Sequence, residues 1–114
     1  MHADYFEAGA NVAITASYQA TEAGFKERGI DSQKAYGLIA QSVTLAREAR
    51  DDFVIRHPER EPKTLLIAGA VGPYGAYLAN GAEYTGDYHL SDEQYRSFHQ
   101  LRMKALSEAG ADFL

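Results

Sequence analysis

The sequence predicts an α/β fold in which parallel strands alternate with helices in a βαβαβ order, and three observations support this prediction. Two short apolar runs rich in β-branched residues are typical of strands in a parallel sheet. Long segments with helical periodicity follow both of them. The composition, 46% hydrophobic and 24% charged, is that of an ordinary globular protein and indicates neither disorder nor a fibrous repeat.

The amino-terminal part of the chain predicts the end of a helix and then a first strand. Residues 1–10 have the pattern of the last helical turns before a glycine cap, which is Gly9. The run 11–16 is apolar without alternation, so we expect a strand that is covered on both faces. A loop containing Gly24 and Gly29 follows.

The next segment predicts a long helix over about residues 32–56. Asp31 or Ser32 can cap its start, and Pro58 disfavours helical geometry in the residue before it, so the helix should stop near His57. The positions that recur three and four residues apart are apolar or small and should face the core. They are Ala35, Ile39, Ser42, Ala46, Ala49 and Phe53.

A second strand and a segment rich in glycine and tyrosine come next. The apolar run 64–71 predicts a buried strand, which completes a βαβ unit with the first strand and the helix. Residues 72–90 hold four of the eight tyrosines and are too long for a simple turn. Irregular segments of this length usually have a functional role.

The carboxyl-terminal part predicts a third helix and the beginning of a third strand. Ser91 and Gln94 have the spacing of a capping box, and helical periodicity continues to about Ala109, before Gly110. Residues 111–114 have the pattern of a strand that is just starting. So few strands leave the edges of a parallel sheet unpaired, so we expect the chain to be part of a larger α/β protein. The helix positions expected on or near the inward side are Tyr95, Phe98, Leu101, Ala105, Leu106 and Ala109.

Net charge and cysteine content exclude several classes of function. Eleven Lys and Arg against sixteen Asp and Glu give a net charge of -5, without the basic surplus that binding to nucleic acid or to an anionic membrane requires. The absence of cysteine excludes disulfides, thiolate zinc sites, cysteine nucleophiles and iron–sulfur clusters built from this chain alone. The sequence shows neither a transmembrane run nor a signal peptide, so we expect a cytoplasmic protein.

The loop after the first strand is one candidate site, because function in parallel α/β folds collects at the carboxyl ends of strands. Thr15, Ser17 and Gln19 carry hydroxyl and amide groups that can orient a small polar substrate by hydrogen bonds. The alternative is that these groups bond the ends of neighbouring strands. Spacing alone does not decide between the two.

The loop after the second strand is the other candidate site. Gly72 and Gly75 lie on either side of Pro73 and permit a tight turn with close approach of the backbone. The pattern lacks the third glycine of a dinucleotide fingerprint and the Lys-Ser/Thr pair of a P-loop. It therefore does not predict nucleotide binding.

Four tyrosines of the glycine-rich segment can form an aromatic wall, and they are Tyr74, Tyr77, Tyr84 and Tyr88. Aromatic faces attract ammonium or sulfonium cations by about 0.5–2 kcal/mol each. The alternative is that these rings pack the loop onto the sheet.

The histidines do not predict a metal site. They show neither i, i+4 pairing nor HExxH spacing, so we expect each of them at the surface. They are His2, His57, His89 and His99.

Two runs of the sequence, 4–30 and 68–91, closely resemble the homocysteine S-methyltransferase family, most closely its bacterial type with S-methylmethionine as donor. The resemblance depends on ITASYQAT in the first run and on VGPYGAYLANGAEYTGDY in the second, and it extends over essentially the whole chain. It implies a (β/α)8 TIM barrel, in which residues 1–114 would be a partial homocysteine-binding domain covering about strands 2 to 4. It also implies a zinc ion that binds the homocysteine thiolate, and methyl transfer from a sulfonium donor to that sulfur.

The chain departs from the family pattern at the metal. The zinc ligands of the family are cysteines in the later part of the barrel, and this chain has no cysteine. A glutamate that family members carry after the strand beginning at Ala111 would lie beyond Leu114. We therefore assign no catalytic residue, no metal ligand and no bound zinc to this chain alone. The candidate substrate-binding residues are Thr15, Ser17, Tyr18, Gln19, Gly72, Pro73, Tyr74 and Gly75.

Together these features predict part of a homocysteine S-methyltransferase. The full enzyme would transfer a methyl group from S-methylmethionine, or from S-adenosylmethionine, to homocysteine and form methionine, and this chain alone would be inactive. One alternative is a non-catalytic barrel fragment that self-associates through its open sheet edges. The other is a related barrel methyltransferase with a different donor, such as betaine or a folate.

Overall fold

The computed structural model describes all 114 residues and alternates helices with short strands. The elements are α1 (His2–Glu7), β1 (Val12–Ile14), α2 (Glu22–Glu27), α3 (Ser32–Arg56), β2 (Leu66–Ala68), α4 (Tyr74–Leu78), α5 (Ala82–Thr85) and α6 (Asp92–Glu108). A 3-10 turn over Pro62–Thr64 precedes β2. None of the helices combines the length and the apolar character that crossing a membrane requires.

The strands form a parallel sheet. β1 pairs with β2, and Ala13 lies opposite Ile67 at the centre of the register. On the other side of β2, Ala68 forms a parallel bridge with Phe113, and Gly69 N–H donates to the Phe113 carbonyl at 2.8 Å. The predicted parallel βαβ unit is therefore confirmed, as is the beginning of a third strand after the last helix.

The core lies between this sheet and the two long helices, α3 and α6, which pack against each other. Most of the inward positions predicted for α3 are buried, and Val43 is buried in place of Ser42. Each large aliphatic or aromatic side chain buried here contributes about 1.5–3 kcal/mol. The core residues are Phe6, Ala13, Ile39, Val43, Ala46, Phe53, Leu65, Ile67, Ala105 and Leu106.

The opposite face of the sheet is open, which corrects the prediction that the first strand is covered on both faces. Along β1, Ala13 is buried, whereas Val12 and Ile14 are exposed, Ile14 by 63%. Side chains alternate between the two faces of a strand, so the exposure of Val12 and Ile14 shows that their shared face is uncovered. The sequence correctly predicted that this face is apolar, but the prediction that another part of the protein covers it was wrong for this chain.

Two segments predicted as loops contain short helices. The loop with Gly24 and Gly29 holds α2, which Thr21 caps by accepting a hydrogen bond from Gly24 N–H at 3.0 Å. The segment 72–90 holds α4 and α5. Both predictions were wrong because helices of four to six residues are too short to show a helical period in the sequence.

The ends of the long helices follow the predicted capping residues. Asp31 accepts from Lys34 N–H at 2.8 Å at the start of α3. At the start of α6, Ser91 and Gln94 bond each other's backbone N–H groups in a complete capping box. The sequence therefore fixes where both long helices begin.

We expect replacement of Ser91 by alanine to lower the free energy of unfolding by about 1 kcal/mol, because Gln94 N–H loses its acceptor. The matched control is Ser107→Ala, at an exposed position of the same helix. Urea unfolding measures both variants. Equal stability of the two variants would contradict a role for the capping box.

Candidate functional site

The loops after β1 and β2 come into contact at the carboxyl edge of the sheet. Gly72 N–H donates to the Tyr18 carbonyl at 3.1 Å. A Cβ atom on Gly72 would lie 2.3 Å from that same oxygen, well inside van der Waals contact. Glycine is required for this approach, which confirms the close backbone contact predicted at this position.

Thr15 and Ser17 are buried and bond the end of β2. The Thr15 hydroxyl accepts from Ala70 N–H at 2.9 Å, and the Ser17 hydroxyl donates to the Ala70 carbonyl at 2.8 Å. Because Ser17 has only one proton to donate, Thr15 is the donor in the 2.7 Å bond between the two hydroxyls. The alternative that these groups bond a neighbouring strand is thus confirmed, and their contact with a substrate stays a prediction.

Tyr18 and Gln19 are the exposed candidate residues of the first loop. They occupy the middle of a turn that is closed by a hydrogen bond from Ala20 N–H to the Ser17 carbonyl at 3.1 Å. Tyr18 is 48% exposed, so part of its ring is open to a ligand. Of the candidate residues in this loop, these two are accessible.

In the second loop, Pro73 and Tyr74 are half-buried at the start of α4, and Gly75 is buried. A Cβ atom on Gly75 would lie 2.6 Å from Glu83 N and from a ring carbon of Tyr88. Glycine here lets α4 pack directly on α5. A contact between Gly75 and a substrate stays a prediction.

An aromatic cluster attaches the glycine-rich segment to α6. Tyr74 lies at its centre, with ring centroids 5.0 Å from Phe98 and 5.6 Å from Tyr88. The members of the cluster are Tyr74, Tyr77, Tyr88, Tyr95 and Phe98. Tyr84 lies outside it and is 89% exposed. The rings therefore pack the segment onto a helix and not onto the sheet, and Tyr84 does not belong to an aromatic wall.

Arg102 of α6 joins the two loops, and sequence reasoning missed it. The residue is 1% exposed, and its guanidinium donates to the carbonyls of Tyr18 at 2.7 Å and Gly72 at 2.6 Å. Its position carried a signal, because it lies four residues after Phe98 and four before Leu106, on the apolar side of α6. A charged residue on such a stripe indicates a buried hydrogen-bond network.

His99 lies beside Arg102. Its Nδ1 is 3.0 Å from the guanidinium and accepts, because arginine has no acceptor atom. Burial, and then the charge of Arg102, hold the pKa of His99 below its ordinary value. Burial also lowers the pKa of Arg102. His99 is half-buried, as are His2 and His57, so the surface position expected for every histidine is found only at His89.

We expect His99→Asn to flatten the pH dependence of stability below neutrality. Because the pKa of His99 is lowered in the folded state, the unfolded state binds the proton more readily. The free energy of unfolding is thus at its full value above the ordinary pKa of 6.5 and falls as the pH drops below it. Asparagine keeps an acceptor for Arg102 without titrating. Urea unfolding between about pH 5 and pH 8 measures the slope.

The control for this experiment is His89→Asn, at an exposed position. This variant should keep the slope of the unmodified protein. A slope that His99→Asn leaves unchanged would contradict the role given to His99.

A cleft of about 400 Å³ opens beside the first loop, between α2 and α4. Gln19 and Thr21 line it from the loop, and Tyr77 lines it from α4. The Tyr77 hydroxyl donates to the Glu27 carboxylate, and this bond raises the pKa of Tyr77. The cleft therefore gives the exposed turn a partly polar recess with room for a small ligand.

The chain offers no ligand set for a metal ion. No three side chains of His, Asp or Glu gather closely enough to hold one, and no cysteine is present. Residues 1–114 by themselves therefore do not fit a zinc ion.

Polar and glycine-rich loops that meet at the carboxyl edge of parallel strands define an α/β protein, a class in which function collects at that edge. The chain belongs to the homocysteine S-methyltransferase family, whose model matches residues 1–114. The resemblance seen in the sequence is thus confirmed.

Two bacterial relatives are similar over the whole chain. The homocysteine S-methyltransferase of Escherichia coli strain K12 is 56% identical over 114 residues. The homocysteine S-methyltransferase YbgG of Bacillus subtilis strain 168 is 53% identical over 116 residues. The chain spans 36% of the length of each of these relatives.

Solved structures share the fold. The metallated form of the homocysteine methyltransferase MmuM from Escherichia coli gives a TM-score of 0.93 at 57% identity, over 97% of this chain and 38% of that chain. The apo form gives a TM-score of 0.74 over 97% of this chain and 34% of that chain. The arrangement of helices and parallel strands is therefore that of a homocysteine methyltransferase segment.

Proposed function

We propose that this chain is part of a homocysteine S-methyltransferase that forms methionine. The donor is S-methylmethionine or S-adenosylmethionine, and the acceptor is the thiolate sulfur of homocysteine, whose proton is released to solvent before the transfer. A new bond forms between that sulfur and the methyl carbon as the carbon–sulfur bond of the donor breaks, and the donor leaves as a neutral thioether. One observation carries the proposal: 56% identity to the Escherichia coli enzyme extends over the whole chain, including both loops of the candidate site.

We further propose that the chain forms about strands 2 to 4 of a (β/α)8 barrel. The parallel order of β1, β2 and the Phe113 segment supports this, as does the placement of α3 and α6 on one face. In such barrels the inner face of the sheet is filled by apolar side chains from other strands. The exposure of Val12 and Ile14 has a natural explanation if their face is the inner one.

The candidate residues divide into two roles in this proposal. Thr15 and Ser17 fix the first loop to β2 through Ala70. Tyr18 and Gln19 reach the substrates, because they are exposed at the carboxyl edge of the sheet.

Tyr18 is the better tyrosine for a sulfonium donor, since the residue is 48% exposed. The neighbouring Tyr74 is surrounded by other rings of the aromatic cluster. A cation held over an aromatic face gains about 0.5–2 kcal/mol. With the substrates aligned, methyl transfer is a displacement between two positioned groups.

We propose zinc as the metal of the full-length enzyme, with none of its ligands in this chain. The solved Escherichia coli relative has a metallated form, and residues 1–114 contain no ligand set. The isolated chain should therefore neither bind zinc tightly nor form methionine. Stoichiometric zinc with turnover by the 114-residue polypeptide would contradict this proposal.

A chimera tests the proposed function directly. In the Escherichia coli enzyme, the matching segment is replaced by this chain, and methionine formation from homocysteine is measured with S-methylmethionine, S-adenosylmethionine, betaine or a methylated folate as donor. We expect turnover with a sulfonium donor, with the unmodified enzyme as the matched control. A folded chimera without turnover, or one active only with betaine or the folate, would overturn the proposal.

A second candidate is a non-catalytic fragment that self-associates through its open strands. The exposed side chains of Val12 and Ile14 on the uncovered face favour it. Light scattering coupled to size exclusion distinguishes the two cases. A monomer that unfolds cooperatively would exclude self-association.

A further inference from the structure

Arg102 is buried without an acidic partner. Its guanidinium contacts the carbonyls of Tyr18, Gly72 and, at 3.5 Å, Ser17, together with the His99 ring. None of the ion pairs of the protein includes it, and its Nε has no hydrogen-bond partner. Burying such a charge is costly, so stability alone does not explain an arginine here.

One of the two short contacts of Arg102 is with the peptide group between Tyr18 and Gln19. This peptide is the central one of the turn from Ser17 to Ala20, and the hydrogen bond that closes the turn does not fix its orientation. Two donors fix it instead, Arg102 Nη1 at 2.7 Å and Gly72 N–H at 3.1 Å, which both reach the Tyr18 carbonyl. Arg102 and Gly72 N–H therefore determine together which way this peptide faces.

The N–H on the opposite side of the same peptide, which belongs to Gln19, is a free hydrogen-bond donor. All peptide bonds of the chain are trans, so the Gln19 N–H points away from the Tyr18 carbonyl and from Arg102. This N–H donates to no backbone or side-chain acceptor of this chain. Gln19 itself is exposed and lines the cleft beside the first loop. An N–H of this kind is suited to a polar group of a ligand.

The charge around this donor favours an anion. Neither 15–20 nor 71–75 contains an Asp or Glu, so no acid of the two loops offsets the positive charge of Arg102. The cleft does contain the Glu27 carboxylate, but that group accepts a hydrogen bond from Tyr77 and is matched in charge by Arg28 in the same lining. A hydrogen bond from a backbone N–H to a carboxylate is stronger than one to a neutral oxygen. The ligand group that fits best is therefore a carboxylate.

We propose that Arg102 is a positioning residue that orients the Tyr18–Gln19 peptide so that Gln19 N–H binds the α-carboxylate of an amino-acid substrate. The proposal rests on the proposed function, in which both homocysteine and S-methylmethionine carry such a carboxylate. Arg102 itself touches neither substrate. It acts through the backbone of the turn.

The first test uses Arg102→Met and Arg102→Lys in the full-length enzyme that contains this chain. We expect Arg102→Met to raise the KM of one substrate by about tenfold or more, with a smaller change in kcat, because one hydrogen bond to a charged group is lost. Lysine keeps the charge and one donor and should recover part of the loss. The matched control is Arg47→Met, which removes an exposed arginine bonded to the Ala109 carbonyl, far along the chain from both loops.

Substrate analogues identify the carboxylate. The α-carboxamides of homocysteine and of S-methylmethionine are compared with the natural compounds, one at a time. For the substrate that Gln19 N–H binds, the unmodified enzyme should bind the carboxamide more weakly than the natural acid. Arg102→Met should bind the two compounds with similar affinity. Equal losses in both proteins, for both substrates, would overturn the proposal.

Amide hydrogen exchange gives a readout that does not depend on activity or on a variant. In the unmodified full-length enzyme, the substrate carrying the bound carboxylate should slow exchange of Gln19 N–H, and its carboxamide should not. In Arg102→Met, exchange of Gly72 N–H should accelerate, because the contact between the loops loosens. If Gln19 N–H exchanges equally with and without both substrates, the proposal is wrong even if both Arg102 variants fail to fold.

Failure of the proposed function would give a different set of results from failure of the role proposed for Arg102. In that case the unmodified full-length enzyme forms no methionine from homocysteine with any of the donors. The faster exchange of Gly72 N–H in Arg102→Met would still be observed, since it reports only the contact made by Arg102.

Discussion

Gly72→Ala should destabilise the protein by about 3 kcal/mol and lower any methyl-transfer activity of the full-length enzyme at least about tenfold. The new Cβ would lie 2.3 Å from the Tyr18 carbonyl oxygen, and the clash is with backbone, which cannot rotate away. The two loops must separate to relieve it. Separation breaks the bond from Gly72 N–H to Tyr18 and strains both contacts of Arg102.

Gly37→Ala is the matched control for this substitution. Gly37 lies inside α3, and a Cβ there has no heavy atom within 4 Å. Alanine should therefore stabilise the protein by about 0.5–1 kcal/mol, through higher helix propensity. Urea unfolding and the methionine assay measure both variants. If Gly72→Ala matched the control in both measurements, the close approach of the loops would have no consequence.

Phe53→Ala should lower the free energy of unfolding by about 3–5 kcal/mol. Phe53 is 2% exposed on α3, and its ring stacks on Phe6 at 5.6 Å and on His57 at 4.4 Å between centroids. Arg60 lies 5.6 Å from the ring centre. Truncation leaves a cavity between α1 and α3 and removes these ring contacts together.

The control is Ile55→Ala, two residues along the same helix and 78% exposed. It should change the free energy of unfolding by less than about 0.5 kcal/mol. Chemical unfolding of the two variants under one set of conditions measures the difference. A cost for Phe53→Ala below about 1 kcal/mol would show that the contact between α1 and α3 is not part of the core.

Periodicity and capping chemistry predicted the two long helices because both act over a few residues. The start of α3 at Asp31 and that of α6 at Ser91 follow from side chains that bond the first turn. The strands were predicted for a similar reason, although β1 and β2 are shorter than the apolar runs that contain them. The short helices α2, α4 and α5 were missed, since each has only four to six residues and shows no helical period in the sequence.

The sequence predicted that both candidate loops lie at the carboxyl edge of the sheet, but it did not predict how their side chains are arranged. The two loops do meet at the carboxyl edge, as the topology of parallel strands requires. The sequence could not tell that the hydroxyls of Thr15 and Ser17 face β2. It also could not tell that Tyr74 packs against Phe98, because both contacts join residues far apart in the chain.

The sequence by itself determined the order of the long helices and the parallel strands, the membership in a methyltransferase family and the position of the two loops of the candidate site. These depend on local patterns and on motif residues that stand next to one another. Only the tertiary structure decided that Arg102 of α6 holds both loops by the carbonyls of Tyr18 and Gly72. The physical reason is that a buried guanidinium acts through backbone oxygens, which every residue has, so no side-chain pattern in the sequence marks its partners.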